Sequence, residues 1–164
     1  SSVGFHEFVF DLHTDSDGNF YYAKAGPVRG GGRGFGSKPE ENNRFGNVSP
    51  HAGTVVRVDR EGKKLDVYAT GFRAPNGIGV GPDGQVTTGD NEGTWIPACP
   101  INWVEEGGFY GVEDLAHRDA IPEFNPPLCW LAKKDFDNSG GSQVWVTSDR
   151  WGPFEGELLH LSYG

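Results

Sequence analysis

The sequence predicts an all-β protein made of successive four-stranded antiparallel sheets, and three observations carry that expectation. Apolar residues make up only 35% of the chain, while there are 26 glycines and 11 prolines, a balance suited to short strands and frequent turns. No segment keeps a helical period, and only Asp114 to Arg118 is expected to form a helical turn. The stretch from Gly53 to Glu92 reads strand, turn, strand, crossing, strand, turn, strand. Blades of a β-propeller follow one another in that order.

In the first unit, Glu7 to His13 alternates, turns at Asp15-Ser16-Asp17-Gly18-Asn19 and returns as Phe20 to Ala23. A polar loop over 26–52, rich in Gly, Pro, Asn and Ser, precedes the β-branched run Thr54 to Val58. Glu61-Gly62-Lys63 turns that run into Leu65 to Ala69. In the second unit, Phe72 to Gly77 breaks the pattern before Ile78 to Val80, and Pro82-Asp83-Gly84 leads into Gln85 to Thr88. Ile101 to Val104 and Gly108 to Val112 are its expected third and fourth strands, with an insertion over 92–100. A second insertion, 113–127, precedes the third unit, which holds Leu128 to Leu131, a turn at Asp137 to Gly141, Gln143 to Thr147 and Glu157 to Ser162. The turn glycines Gly18, Gly84 and Gly141 are spaced 66 and 57 residues apart, longer than the usual blade of about 40–50. The expected units are a first blade over about 5–70, a second over about 72–112 and an incomplete third over about 127–164. A closed ring needs about four to eight blades, so the chain is expected to be part of a larger propeller, most simply one of six blades, with a small open sheet domain as the alternative.

A formal net charge of −9 argues against nucleic-acid binding, which calls for a basic face. No apolar run approaches the roughly 20 residues of a membrane-spanning helix. The chain opens at Ser1 with no signal-peptide pattern and contains no methionine, which suggests a start lost by processing or cleavage. Cys99 and Cys129 are expected to be small buried thiols, with a disulfide between them as the alternative. No Cys-x-x-Cys-His haem motif and no zinc-ligand spacing occurs.

Several stretches carry a family resemblance. Phe5-His6-Glu7-Phe8, His13-Thr14-Asp15 and Asn19 to Lys24 are among them, as are Ala69 to Gly77 and Ile101 to Gly111. Pro127-Leu128-Cys129-Trp130 and Val146 to Pro153 complete the set. Together they resemble the propeller of large secreted PVC-type haem-binding, membrane-bound dehydrogenase-like proteins, which is similar to soluble quinoprotein sugar dehydrogenases. The resemblance implies an exported bacterial protein, periplasmic or extracellular, in which a cytochrome c domain can be a partner. It also implies sugar or polyol oxidation with a quinone cofactor such as PQQ.

In a propeller, loops entering the innermost strands and loops joining second to third strands gather at one end of the axis. They are expected to bring together His6, Glu7, Arg73, Asn76 and Asn125 with Asp90, Asn91 and Glu92, and with Asp149, Arg150 and Trp151. Glu7, Asn76 and Asp90 have the oxygen donors that calcium takes. Gluconolactonase-like propellers resemble this arrangement, with the Asn of a Pro-Asn-Gly stretch as ligand. Arg73 matches the arginine of the Gly-x-Arg-Asn-Pro stretch of quinoprotein dehydrogenases, although Ala74 stands where the asparagine would be. Arg73, with Asn76 and Arg150, is therefore the candidate to bind the carboxylates of PQQ, and the alternative for Arg73 is an acid partner at a blade junction. His6 is the candidate base for a substrate hydroxyl, with Arg73 as its catalytic companion. Trp95, Trp151 and Asp149 are candidates to hold a sugar. The remaining features read as structure: Asp15 to Asn19 as a hairpin turn rather than a calcium loop, Gly30 to Gly36 as a loop without phosphate-binding order, and His51, His117 and His160 as isolated surface or strand residues. Two other functions stay open: a non-catalytic glycan- or protein-binding scaffold, and a calcium-dependent lactonase-like hydrolase.

Overall fold

Alternating and β-branched sequence resolves into ten strands and two short 3-10 turns in the computed structural model, which describes residues 8–26, 49–92 and 96–163. The first sheet holds β1 (Val9–Thr14), β2 (Phe20–Lys24), β3 (Thr54–Val58) and β4 (Leu65–Thr70) in that spatial order. The second holds β5 (Pro75–Val80), β6 (Val86–Asp90), β7 (Ala98–Val104) and β8 (Cys129–Ala132). β9 (Gly140–Trp145) and β10 (Leu158–Ser162) form a third, two-stranded sheet. Every sheet pair is antiparallel. This is a partial β-propeller.

Period-2 alternation explains which face packs. In β2, Tyr21 and Ala23 are buried while Phe20 and Tyr22 are half-buried. Tyr21, Ala23, Val55, Ala69, Phe72, Ile78, Val86, Val104 and Tyr110 form one core joining the first two sheets. Phe72 has no exposed surface and stacks on Tyr110, with ring centroids 4.7 Å apart. Burying such a ring contributes about 2–3 kcal/mol.

The first strands of the units lie side by side, β1 against β5 and β5 against β9. Glycines permit this approach: Gly77 faces Ser142, Gly79 faces Gln143 and Gly81 faces Trp145. That order means β5 and β9 run in the same direction, as innermost strands around an axis do. The free faces at both ends are apolar, with Phe10 and Leu12 exposed on β1, and Val144 and Leu161 exposed on β9 and β10.

The second and third units differ from the expected ones. Gly108 to Val112 does not form a strand of the second sheet: Phe109 instead bridges Thr70 in parallel, at the edge of the first. The fourth strand is β8, so the segment expected to open the third unit closes the second. Asp137 to Gly141 is consequently the crossing between blades rather than a hairpin turn. The innermost strands begin at Val9, Pro75 and Gly140, 66 and 65 residues apart, a more even repeat than the turn glycines suggest. A turn-rich crossing and a turn-rich hairpin have the same composition, so only pairing separates them. The helical turns fall at Glu113–Leu115, slightly before the expected place, and at Asp149–Phe154, where none was expected. Cys99 and Cys129 are both free thiols, Cys99 buried as expected and Cys129 only half-buried. The loop 26–52 is described only at its ends, Gly26 and 49–52.

Candidate functional site at the strand-entering end

The chain enters β5 through Gly71 to Ala74, and Asp90 closes β6 directly beside it. Asp90 is buried, and its carboxylate accepts the backbone N–H of Arg73 at 2.9 Å on Oδ2 and that of Ala74 at 2.6 Å on Oδ1. Burial pushes this carboxyl up to about 6, against the opposing pull of the two N–H groups and the Arg73 charge. The Arg73 guanidinium turns inward, donating to the Asn91 carbonyl and lying 3.4 Å from the Glu92 carboxylate. Burial draws its pKa below the ordinary arginine value, while Asp90 and Glu92 oppose that. Glu92 also accepts from Lys133 just beyond β8, completing an acid–base chain Asp90, Arg73, Glu92, Lys133.

The joint to the third sheet is polar. The Asn76 amide donates to the Gly140 carbonyl at 2.7 Å, and Asn91 Nδ2 donates to Ser139 Oγ at 3.3 Å. Cys99 lies under this joint, its thiol 3.4 Å from the Asp137 carbonyl. Asp137, on the crossing, is buried and accepts from Ser162, while its Oδ2 stands 2.9 Å from His160 Nε2. His160 is thus a partnered histidine, not an isolated one. Its role was missed because nothing in sequence links β10 to a crossing 23 residues earlier.

The expected residues divide accordingly. Arg73, Asn76, Asp90, Asn91 and Glu92 come together at one end of the axis. Asp149, Arg150 and Trp151 do not join them. They occupy the turn between β9 and β10, beside the Trp145 end of β9, whereas Asn76 meets the Gly140 end. All three are exposed, at the opposite end of the axis. The expectation failed because it took their segment for a link between second and third strands. Asn125 lies outside the cluster too: it accepts the Phe109 N–H and donates to Glu105. His6, Glu7 and Trp95 lie outside the described residues.

Each Asp90 oxygen accepts one backbone N–H, and among the described residues no three His, Cys, Asp or Glu converge to hold a metal. Arg73 is aimed at Asn91 and Glu92, as an arginine at a blade junction. What the arrangement does chemically is hold three loops at fixed separation.

No family model and no curated protein matches the chain. Solved structures do. The fold resembles part of the fold of sugar dehydrogenases. A glucose dehydrogenase matches with a TM-score of 0.62 at 18% identity, over 98% of this chain and 45% of its own. The soluble aldose sugar dehydrogenase of Escherichia coli, in its apo-form, matches with a TM-score of 0.59 at 14% identity, over 93% and 47%. The PQQ-bound aldose sugar dehydrogenase of Streptomyces coelicolor matches with a TM-score of 0.54 at 13% identity, over 82% and 38%. The chain therefore spans less than half the length of each of these proteins.

Proposed function

We propose that the chain is a stretch of a dehydrogenase-like propeller that binds a sugar or polyol near its axis and serves its oxidation. One observation carries this: a likeness of fold over 82–98% of the chain to proteins described as sugar or glucose dehydrogenases. PQQ is the cofactor we propose for the whole protein, since one of those neighbours is a PQQ-bound form. Because the Arg73 guanidinium is engaged with Asn91 and Glu92, its part would be to hold the loops at the axis, with the PQQ carboxylates bound by other residues of the whole protein. Arg73, Asp90 and Glu92 act in this reading as positioning residues that shape the end of the axis. His6, next to Glu7, is the proposed acceptor of the substrate's hydroxyl proton. An exported location, further blades and a cytochrome c electron acceptor belong to the same proposal. Among the described residues no helix is long and apolar enough to cross a membrane.

A second reading, a non-catalytic glycan-binding or scaffolding propeller, is favoured by one specific observation. Arg73, Asp90 and the Asn76 amide N–H all serve joints within the fold. The deciding experiment uses the full protein containing this chain, supplied with PQQ and calcium. Reduction of an electron-accepting dye is followed with glucose and with sorbitol, and PQQ binding by quenching of tryptophan fluorescence. PQQ-dependent reduction is expected. Absence of both quenching and reduction would overturn the dehydrogenase reading and leave the scaffold.

A further inference from the structure

We propose that a polar site separate from the Arg73–Asp90 joint lies where the three innermost strands converge, and that Asp11 binds adjacent hydroxyls of a sugar or polyol there. The proposal rests on the dehydrogenase-like reading for its ligand class and on geometry for its position. β1 is bulged between Phe10 and His13, and within the bulge Asp11 has a φ of 62°, in the left-handed region. That conformation is uncommon for a residue that carries a side chain. The consequence is directional: the Asp11 carboxylate reaches over Gly77 of β5, where the Ser142 hydroxyl of β9 donates to Oδ2.

Between these two strands stands Gly77, where a Cβ would lie 2.4 Å from the Ser142 Cα and 3.0 Å from Asp11 Oδ2. Only a residue without a side chain lets blades one and three bring their polar groups together over blade two. The result is an open depression of about 420 Å³ walled by Phe10, Asp11, Asn76, Ser142, Leu161 and Tyr163. That volume falls in the range of small-molecule sites.

The wall chemistry selects a polyol. Asp11 is exposed, and its Oδ1 has no protein partner among the described residues. A carboxylate accepts two adjacent hydroxyls at once, and the Ser142 hydroxyl can also accept once it is displaced from Asp11. Phe10, Leu161 and Tyr163 offer apolar surface to the C–H faces of a sugar. A hard cation is disfavoured, since it requires six to eight oxygens and Asp11 has no second acid beside it in the wall. The bland rival is a strut, in which Asp11 and Ser142 only tie blade one to blade three.

The test uses the full protein, its Asp11→Asn variant and its Ser142→Ala variant. Glucose and sorbitol are titrated calorimetrically, and KM and kcat are measured separately, with thermal unfolding as the check on folding. Asp11→Asn should weaken polyol binding and raise KM about tenfold or more, with kcat within about twofold. Ser142→Ala should weaken binding about threefold and decides the matter if Asp11→Asn does not fold. Unchanged affinity in the folded variants would overturn the site and leave the strut. So would calcium binding that disappears in Asp11→Asn while polyol binding stays. If the wild type oxidises nothing yet binds sorbitol through Asp11, the dehydrogenase reading fails and the axial site stands.

Discussion

Gly77→Ala is the sharpest test of how the blades meet, because an internal control separates its two costs. An alanine there must hold a φ of 86° and also place its Cβ 2.4 Å from Ser142 Cα and 2.9 Å from Ser142 N. The first cost, a side chain in the left-handed region, is about 1–2 kcal/mol. The second cannot be relieved by a side-chain rotation, since both obstructing atoms are backbone. β5 and β9 would have to separate by about 1 Å, loosening the Gly79–Gln143 and Gly81–Trp145 approaches along the same joint. Overpacking of that kind adds about 1–3 kcal/mol, so the total should be about 3–5 kcal/mol. Gly84 has a φ of 80° with nothing within 4 Å of its ideal Cβ, so Gly84→Ala should show the first cost alone. Urea unfolding of the full protein, followed by tryptophan fluorescence, gives both values as shifts in midpoint at constant slope. The reporter is well placed: Trp103 and Trp145 meet edge-to-face across this joint, 6.1 Å apart. If the two variants are destabilised equally to within about 0.5 kcal/mol, the close packing of β5 on β9 is wrong.

Two further outcomes follow from the electrostatics. Asp90 titrates at about 6 in the fold against 3.8 ordinarily, so the folded state holds its proton more tightly than the unfolded chain does. Its contribution to stability is fully present below about pH 4 and is lost as pH rises through 6, by about 3 kcal/mol. Asp90→Asn cannot ionise and should lose that fall; urea midpoints that show the same slope for both proteins between pH 4 and 7 would refute the assignment. Arg57 on β3 meets Glu106 through two bonds of 2.9 and 3.0 Å, tying blade one to the loop beyond β7. Glu106 is largely exposed, so Glu106→Gln should cost under about 1 kcal/mol and the loss should shrink in high salt.

Most of the strand set was legible because period 2, β-branched runs and Gly-containing turns are local signals. β3 was legible to the residue, since Thr54 to Val58 is an uninterrupted β-branched and basic run between turn signals. Partnership was less legible. Cys129 to Ala132 looks like any short strand, and only its pairing with Ala98 to Ile101 makes it the outer edge of blade two. The same limit hid Asp11, which reads as an ordinary polar position in an alternating strand. Its left-handed backbone depends on a bulge against Ala23 and Tyr21, and its hydroxyl partner lies 131 residues away. Arg73 was legible as a junction arginine in one of its two readings, because Asp90 and Glu92 follow within one hairpin.

Why the joint between blades two and three is polar has a physical answer. Blade one meets blade two through Phe72, Ile78, Val86 and Tyr110, contacts without direction that would tolerate some sliding. Arg73 and Glu92 pair within blade two and add little net stability, because desolvation offsets their attraction. Register between blades two and three is held by the Asn76 and Asn91 amides. Moving β9 by two residues along β5 would keep the same faces in contact. It would also unpair the part-buried Asn76 from Gly140 and Asn91 from Ser139, giving up the two bonds that tie these strands in place. The polar joint therefore fixes the one alignment in which Gly77 lies opposite Ser142. Only in that alignment does the Ser142 hydroxyl reach Asp11 over Gly77, so the position of the proposed polyol site follows from the joint beside it.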